Sequence, residues 1–177
     1  MDSHEARIVR FLTRRASYPH PVGAITRRET HVSHVFLAGA FAYKLKKPVT
    51  FPFLNASTLA LRRTFCRLEL SLNRRLTTGV YLDMVPIVER GGGLHLGGKG
   101  RAVEWLVKMR RLPEERMMDV LVARRPSTRA RDGVSRRDMA QIADRLARCF
   151  RRARRSRAIS RYGEPAQVAA LVLGNLE

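Results

Sequence analysis

The sequence contains few of the residues that define several large protein classes. It has only two cysteines, Cys66 and Cys149, too few for a disulfide framework or a four-thiolate zinc site and typical of a reducing compartment. No apolar run approaches the roughly 20 residues that a membrane-spanning helix needs. The N-terminus carries Asp2 and Glu5 and lacks the apolar core of a secretion signal. We therefore expect a cytoplasmic protein without a membrane partner.

Lysine and aromatic residues are also scarce, although the chain is strongly basic. Lysine and arginine together number 35, the formal net charge is +20 and aromatic residues make up 7%. Such a surface attracts the phosphates of nucleotides and nucleic acids, but few aromatic side chains are present to stack on single-stranded bases. One candidate function is therefore an arginine-rich module that binds nucleic acid non-specifically or binds a partner protein.

The order of periodic segments predicts an α+β fold. In chain order we expect a helix at 4–15, strands at 30–39 and 41–47, a helix at 57–76, strands at 81–89 and 102–109, and helices at 114–123, 135–153 and 166–176. The first two strands form a hairpin, and a polar loop is expected at 125–133. Strands followed by helices indicate an antiparallel sheet packed against one long helix, with a boundary between 1–109 and 110–177.

The long helix at 57–76 has an apolar stripe that predicts which of its faces is buried. The stripe consists of leucines and one phenylalanine spaced three or four residues apart: Leu61, Phe65, Leu68, Leu72 and Leu76. Residues at this spacing lie on one side of a helix. Asn55 or Ser57 is the expected N-cap, because short polar side chains accept hydrogen bonds from the first turn.

The strand at 41–47 and the long helix carry the residues that are suited to phosphoryl transfer. Alternation along the strand places Ala42, Lys44 and Lys46 on one face, and a small side chain beside a lysine leaves room for a flat base. Glu69 lies at the border of the helical stripe, where it can reach that face. Kinases pair a strand lysine with a helix glutamate in this way. Alternation does not choose between the two lysines, and a solvated lysine with an exposed glutamate is the alternative interpretation.

Six segments occur in an order that resembles a known family. They are ETHVSHVFLAG, AYKLKKPV, FPFLNASTL, the run from Cys66 to Leu76, YLDMVPI and VKMRRLP. Together they resemble the bacterial aminoglycoside-phosphotransferase-like kinases, whose members are often fused to a P-loop ATPase domain. The resemblance covers residues 20–123 and extends more weakly to residue 153. It implies that 1–109 is a protein-kinase-like N-lobe, with the hinge and first helices of an incomplete C-lobe at 110–177.

The resemblance also implies roles for individual residues and a cofactor, ATP with Mg²⁺. Lys44 would bind the nucleotide phosphates, with Lys46 as second choice, and Glu69 would be the ion-pair partner. The Ser33 hydroxyl and the backbone of His31–His34 would take the place of the phosphate-covering loop. The backbone of the hinge at Met109–Arg111 would bind adenine.

Three features of the family are missing from this chain. The phosphate-covering segment lacks the G-x-G-x-x-G pattern, and no His-Gly-Asp catalytic sequence or later metal-binding aspartate follows the helices. We therefore predict no catalytic residue and no metal ligand here. The expected function is that of a truncated phosphotransferase lobe, a pseudoenzyme when alone, whose partners are nucleotide and a missing C-lobe or another protein.

Overall fold

The computed structural model describes residues 3–123 and 133–174. They form two compact units, one ending at Val134 and the other beginning at Ser135. This break lies later than the boundary expected after residue 109, because the chain beyond the last strand stays attached to the sheet. The amide of Arg111 donates to the carbonyl of Ala40 at 2.9 Å, and Glu114 pairs with Arg28.

The first unit is an α+β domain with one large antiparallel sheet. Its elements are α1 (Ser3–Leu12), β1 (Ile25–Glu29), β2 (Ser33–Ala38), β3 (Phe41–Lys46), β4 (Thr50–Phe51), β5 (Leu54–Asn55), α2 (Leu59–Asn73), β6 (Tyr81–Arg90), β7 (Gly93–Leu96), β8 (Arg101–Arg110) and α3 (Met118–Ala123). The six-stranded sheet has the order β1-β2-β3-β8-β6-β7, and β4 and β5 form a separate pair. The α+β class and the β2–β3 hairpin are confirmed.

Helices α1 and α2 pack on opposite faces of the sheet. Ile8 and Leu12 of α1 share a buried cluster with Leu106 of β8. Cys66 of α2 shares another cluster with Val107, the next residue of the same strand. Because neighbouring residues of a strand point to opposite faces, the sheet has an α1 face and an α2 face.

The buried side of α2 differs from the predicted apolar stripe. Its buried residues are Arg62, Cys66 and Leu70, whereas Leu68 and Leu72 are exposed. The prediction that Leu68 and Leu72 lie on the buried side is wrong. The physical reason is that Arg62 pairs with the buried carboxylate of Glu104 on β8, so the side of the helix that contains this arginine faces the sheet.

The N-cap of α2 also differs from the prediction. Thr58 is the cap, and its hydroxyl accepts a hydrogen bond from the amide of Leu61 at 3.2 Å. Asn55 does not cap the helix, because its side-chain oxygen accepts from the amide and the hydroxyl of Ser57.

The second unit contains three helices: α4 (Arg136–Arg151), α5 (Arg157–Ser160) and α6 (Pro165–Leu173). Ser135 and Asp138 form a capping box at the start of α4, and the predicted helix is confirmed within a few residues at each end. The polar loop expected at 125–133 lies, apart from Gly133, outside the described residues. Across 3–123 and 133–174, no helix has both the length and the apolarity required to cross a membrane.

The β2–β3 turn gives the first testable prediction. Gly39 has φ +59°, and a Cβ there would lie 2.6 Å from the carbonyl oxygen of Pro21, whereas Gly79 has φ +72° with open space around it. Both positions carry the left-handed penalty of roughly 1–2 kcal/mol for an L-residue. We expect Gly39→Ala to destabilise more than Gly79→Ala in urea unfolding, because only the former adds a backbone clash. Equal losses would contradict this expectation.

Candidate functional site

The most strongly charged contact on the α2 face joins two lysines of β3 to one glutamate of α2. Lys44 Nζ donates to Glu69 Oε1 at 2.9 Å, and Lys46 Nζ donates to Glu69 Oε2 at 2.7 Å. Alternation along β3 turns both ammonium groups toward the helix, as predicted. The Lys44 side chain is 28% exposed and that of Lys46 is 14% exposed. The predicted Lys44–Glu69 contact is therefore present, and it is extended by Lys46.

The charge on Glu69 is stabilised by its two partners. Burial of the side chain raises its pKa, but the hydrogen bonds from Lys46 and Lys44 outweigh that effect, so the pKa lies below its ordinary value. The carboxylate is therefore ionised near neutral pH and holds both lysines in place. Nearby, burial and then the negative charge of Glu69 raise the pKa of Tyr81.

This lowered pKa gives a pH prediction for Glu69→Gln. A depressed carboxyl pKa contributes stability that is present above the unfolded value, about 4.3 for glutamate, and is lost as the pH falls through the folded value. The wild type is therefore expected to be more stable than Glu69→Gln at neutral pH, with a difference that shrinks below about pH 5. Urea unfolding of both proteins at several pH values measures this difference, and a gap that stays constant on acidification would contradict it.

The register of the strands defines which residues lie beside Lys44. Lys44 is opposite Val35 of β2 and Val107 of β8. Two residues away, Ala42 is opposite Met109 of β8. These residues share the α2 face, and α2 packs on β8 and β6. Lys44 therefore lies at the edge of the area that α2 covers. Next to it is the part of the α2 face that β1, β2 and β3 form.

The segment expected to cover phosphates is partly absorbed into β2. Ser33 begins the strand opposite Lys46, is fully buried, and its hydroxyl has no hydrogen-bond partner among the described residues. The next residue, His34, lies on the α1 face, where its Nε2 is 2.7 Å from Glu5 Oε1. Ser33 therefore shares the face of the lysines, and His34 points away from it. His31 lies in the connection between β1 and β2, and phosphate binding by this segment stays a prediction.

Two residues of the expected hinge, Met109 and Arg110, belong to strand β8. β8 continues to Arg110, whose amide donates to the carbonyl of Val80 at 2.8 Å. The next amide, that of Arg111, donates to Ala40. Both amides are therefore bonded to backbone carbonyls, and adenine binding by the remaining backbone groups of Met109–Arg111 stays a prediction. The Met109 side chain, packed against the α2 cluster, remains beside Ala42.

On the α2 face, the described residues offer neither a metal centre nor an activated thiol as alternative chemistry. Within 3–123 and 133–174, no group of three or more His, Cys, Asp or Glu side chains is arranged to hold a metal ion. Burial raises the pKa of the Cys66 thiol to about 12, so it stays protonated near neutral pH and is a poor nucleophile. The chemistry of this face is therefore that of cation and carboxylate groups.

Comparison with known proteins finds relatives in mycobacteria. The chain is 36% identical over 154 residues to a protein of Mycobacterium bovis and to proteins of two strains of Mycobacterium tuberculosis, all three named only as uncharacterized. The matched region makes up 85% of this chain. The chain spans only 28% of the length of these relatives. No family model matches the sequence, and no solved structure matches it.

Sequence reasoning missed a second ion pair, which is more deeply buried than the first. The Arg62 side chain of α2 donates from Nε and Nη2 to both oxygens of Glu104 on β8, at 2.7–3.1 Å. One signal was available. Glu104 is the one charged residue of the otherwise apolar strand segment AVEWLV, and a glutamate buried in such a segment needs a cation.

Proposed function

We propose that this chain is the nucleotide-binding lobe of an ATP-dependent phosphotransferase, a cytoplasmic aminoglycoside-phosphotransferase-like kinase with a protein-kinase-like fold. The observation that carries the proposal is the Glu69 carboxylate of α2, hydrogen-bonded to Lys44 and Lys46 on β3. In kinases a lysine on the third strand, held by a helix glutamate, binds the nucleotide phosphates. In this chain, too, the lysine lies on the third strand and the glutamate on a helix, which supports the comparison.

The neighbours of Lys44 suit the remaining parts of a nucleotide. Ala42 is small and buried, and it lies on the same face two residues before the lysine. With Met109 opposite it, this part of the face offers an apolar surface for a base, whereas Lys44 offers a cation for phosphate. Magnesium would arrive with the nucleotide, because the described residues contain no metal-binding cluster of their own.

Transfer of the phosphoryl group needs further residues. An aspartate must orient the acceptor hydroxyl, and acidic or amide ligands must hold Mg²⁺. No His-Gly-Asp sequence occurs in this chain, and the relatives are more than three times as long, since the chain spans 28% of their length. We therefore assign binding to this chain and propose that turnover needs a further segment or a partner protein.

Ligand-dependent thermal unfolding tests this function. A nucleotide that binds only the folded state stabilises it by about 2.7 kcal/mol at 100 times its dissociation constant. We expect Mg-ATP to raise the midpoint in the wild type and not in Glu69→Ala. Absence of any effect of Mg-ATP, together with DNA affinity that falls steeply between low and moderate salt, would instead favour the arginine-rich nucleic-acid module.

A further inference from the structure

Arg28 of β1 lies on the same face as Lys44. The register places Arg28 opposite Val35, and Val35 opposite Lys44. Residues directly opposite one another in neighbouring strands point to the same side of a sheet. With strands about 4.8 Å apart, the two Cα atoms are separated by roughly 10 Å. A guanidinium and an ammonium on side chains this long can therefore contact the same polyphosphate.

A carboxylate already binds this arginine. Nη2 of Arg28 donates to Oε2 of Glu114 at 2.5 Å, and Nη2 of Arg111 lies 3.6 Å from the other oxygen, Oε1. Glu114 begins the short 3₁₀ turn that follows β8. The segment that follows β8 thus places the Glu114 carboxylate on the face where the nucleotide is proposed to bind.

We propose that Arg28 is a second phosphate-binding cation of this face, and that Glu114 occupies it when no nucleotide is bound. The proposal rests on the proposed function. A triphosphate would replace the Glu114 carboxylate with phosphate oxygens, which form two-pronged hydrogen bonds with arginine. Glu114 would keep Arg111 as its partner, so its release leaves no carboxylate unpaired. Because Arg28 lies on the outer strand of the sheet, its effect should fall on the phosphates rather than on the base.

The exposure of the pair makes such an exchange feasible. The side chains of Arg28 and Glu114 are 60% and 40% exposed. Ion pairs this accessible contribute little to stability, because water and salt screen them. The same exposure means that single substitutions here should leave the fold intact. Changes in ligand affinity can then be separated from changes in folding.

Titrations with Mg-ATP and with adenosine at low salt test the proposal. We expect Arg28→Gln to weaken Mg-ATP binding roughly tenfold, the scale of one charge-assisted hydrogen bond, and Glu114→Gln to tighten it roughly threefold through loss of the competing carboxylate. Adenosine affinity should not change in either variant. Arg27→Gln is the matched control, since Arg27 lies next to Arg28 on the opposite face and should bind like the wild type.

The double variant, Arg28→Gln with Glu114→Gln, shows whether Glu114 competes with phosphate for Arg28 or only changes the charge of the surface. If Glu114 acts by occupying Arg28, Glu114→Gln should have no effect in the Arg28→Gln background. If the wild type binds Mg-ATP and neither single variant changes its affinity, the inference is overturned while the proposed function stands. If the wild type binds neither ligand, both are overturned. Unchanged thermal midpoints without ligand confirm that the variants are folded.

Discussion

Replacing Glu104 by alanine is expected to lower the free energy of unfolding by about 3–5 kcal/mol, the range found when one partner of a buried ion pair is removed. Arg62 and Glu104 are 5% and 3% exposed. Without the carboxylate, the guanidinium stays in the interior with no opposite charge. The remaining donor, Nη1, binds the carbonyls of Ala56 and Ser57, so the arginine cannot leave without losing its bonds to the segment that precedes α2.

Denaturant unfolding measures this loss, and two further variants define its cause. Glu115→Gln, at an exposed position, is expected to stay within about 0.5 kcal/mol of the wild type. Replacing both partners by apolar residues, Arg62→Met with Glu104→Leu, should recover part of the stability, because no unpaired charge remains. A loss below about 1 kcal/mol for Glu104→Ala would show that the pair does not fix α2 to β8.

The second large effect is a division of roles between the two lysines that share Glu69. Lys44→Met is expected to weaken Mg-ATP binding by at least tenfold, since a hydrogen bond to a charged group contributes about 1.5–3 kcal/mol. Lys46→Met is expected to weaken it less than threefold but to lower stability more than Lys44→Met. The reason is position: Lys46 is the less exposed lysine, and it lines a small cavity with His4 and Arg62.

Calorimetric titration of the two methionine variants, with urea unfolding in parallel, measures both effects. Equal losses of affinity would mean that the two ammonium groups bind phosphate together. A larger loss of affinity for Lys46→Met would assign phosphate binding to that residue instead. Lys108→Met is a control on β8, because the ammonium of Lys108 lies over the ring of Phe41, at 4.0 Å, on the opposite face from Lys44.

The lysine–glutamate cluster could be predicted because it depends on local rules. Strand alternation fixes the face of Lys44 and Lys46 once the hairpin is recognised, and the hairpin follows from its apolar residues and Gly39. In the sheet, β1 and β8 flank the β2–β3 hairpin. Between these two strands in the chain, α2 is the only long helix, and it carries Glu69.

The rest of the fold depends on partners that are distant in the sequence. β1, with the sequence ITRRE, has no apolar alternation, and four of its five residues are exposed, so only its pairing with β2 makes it a strand. The buried side of α2 was mispredicted because it depends on the ion pair between Arg62 and Glu104, which are 42 residues apart in the sequence. The partner of His34, Glu5 of α1, is likewise 29 residues away in the sequence.

The most direct test of phosphate binding by the Lys44–Glu69 pair is a nuclear magnetic resonance titration of ¹⁵N-labelled protein with Mg-ATP. We predict saturable amide shifts centred on β3 (Phe41–Lys46) and α2 (Leu59–Asn73), which persist at moderate salt and are lost in Lys44→Met. Shifts confined to the arginines of 136–161 that vanish with added salt, or no shifts at all, would contradict a nucleotide site at this pair.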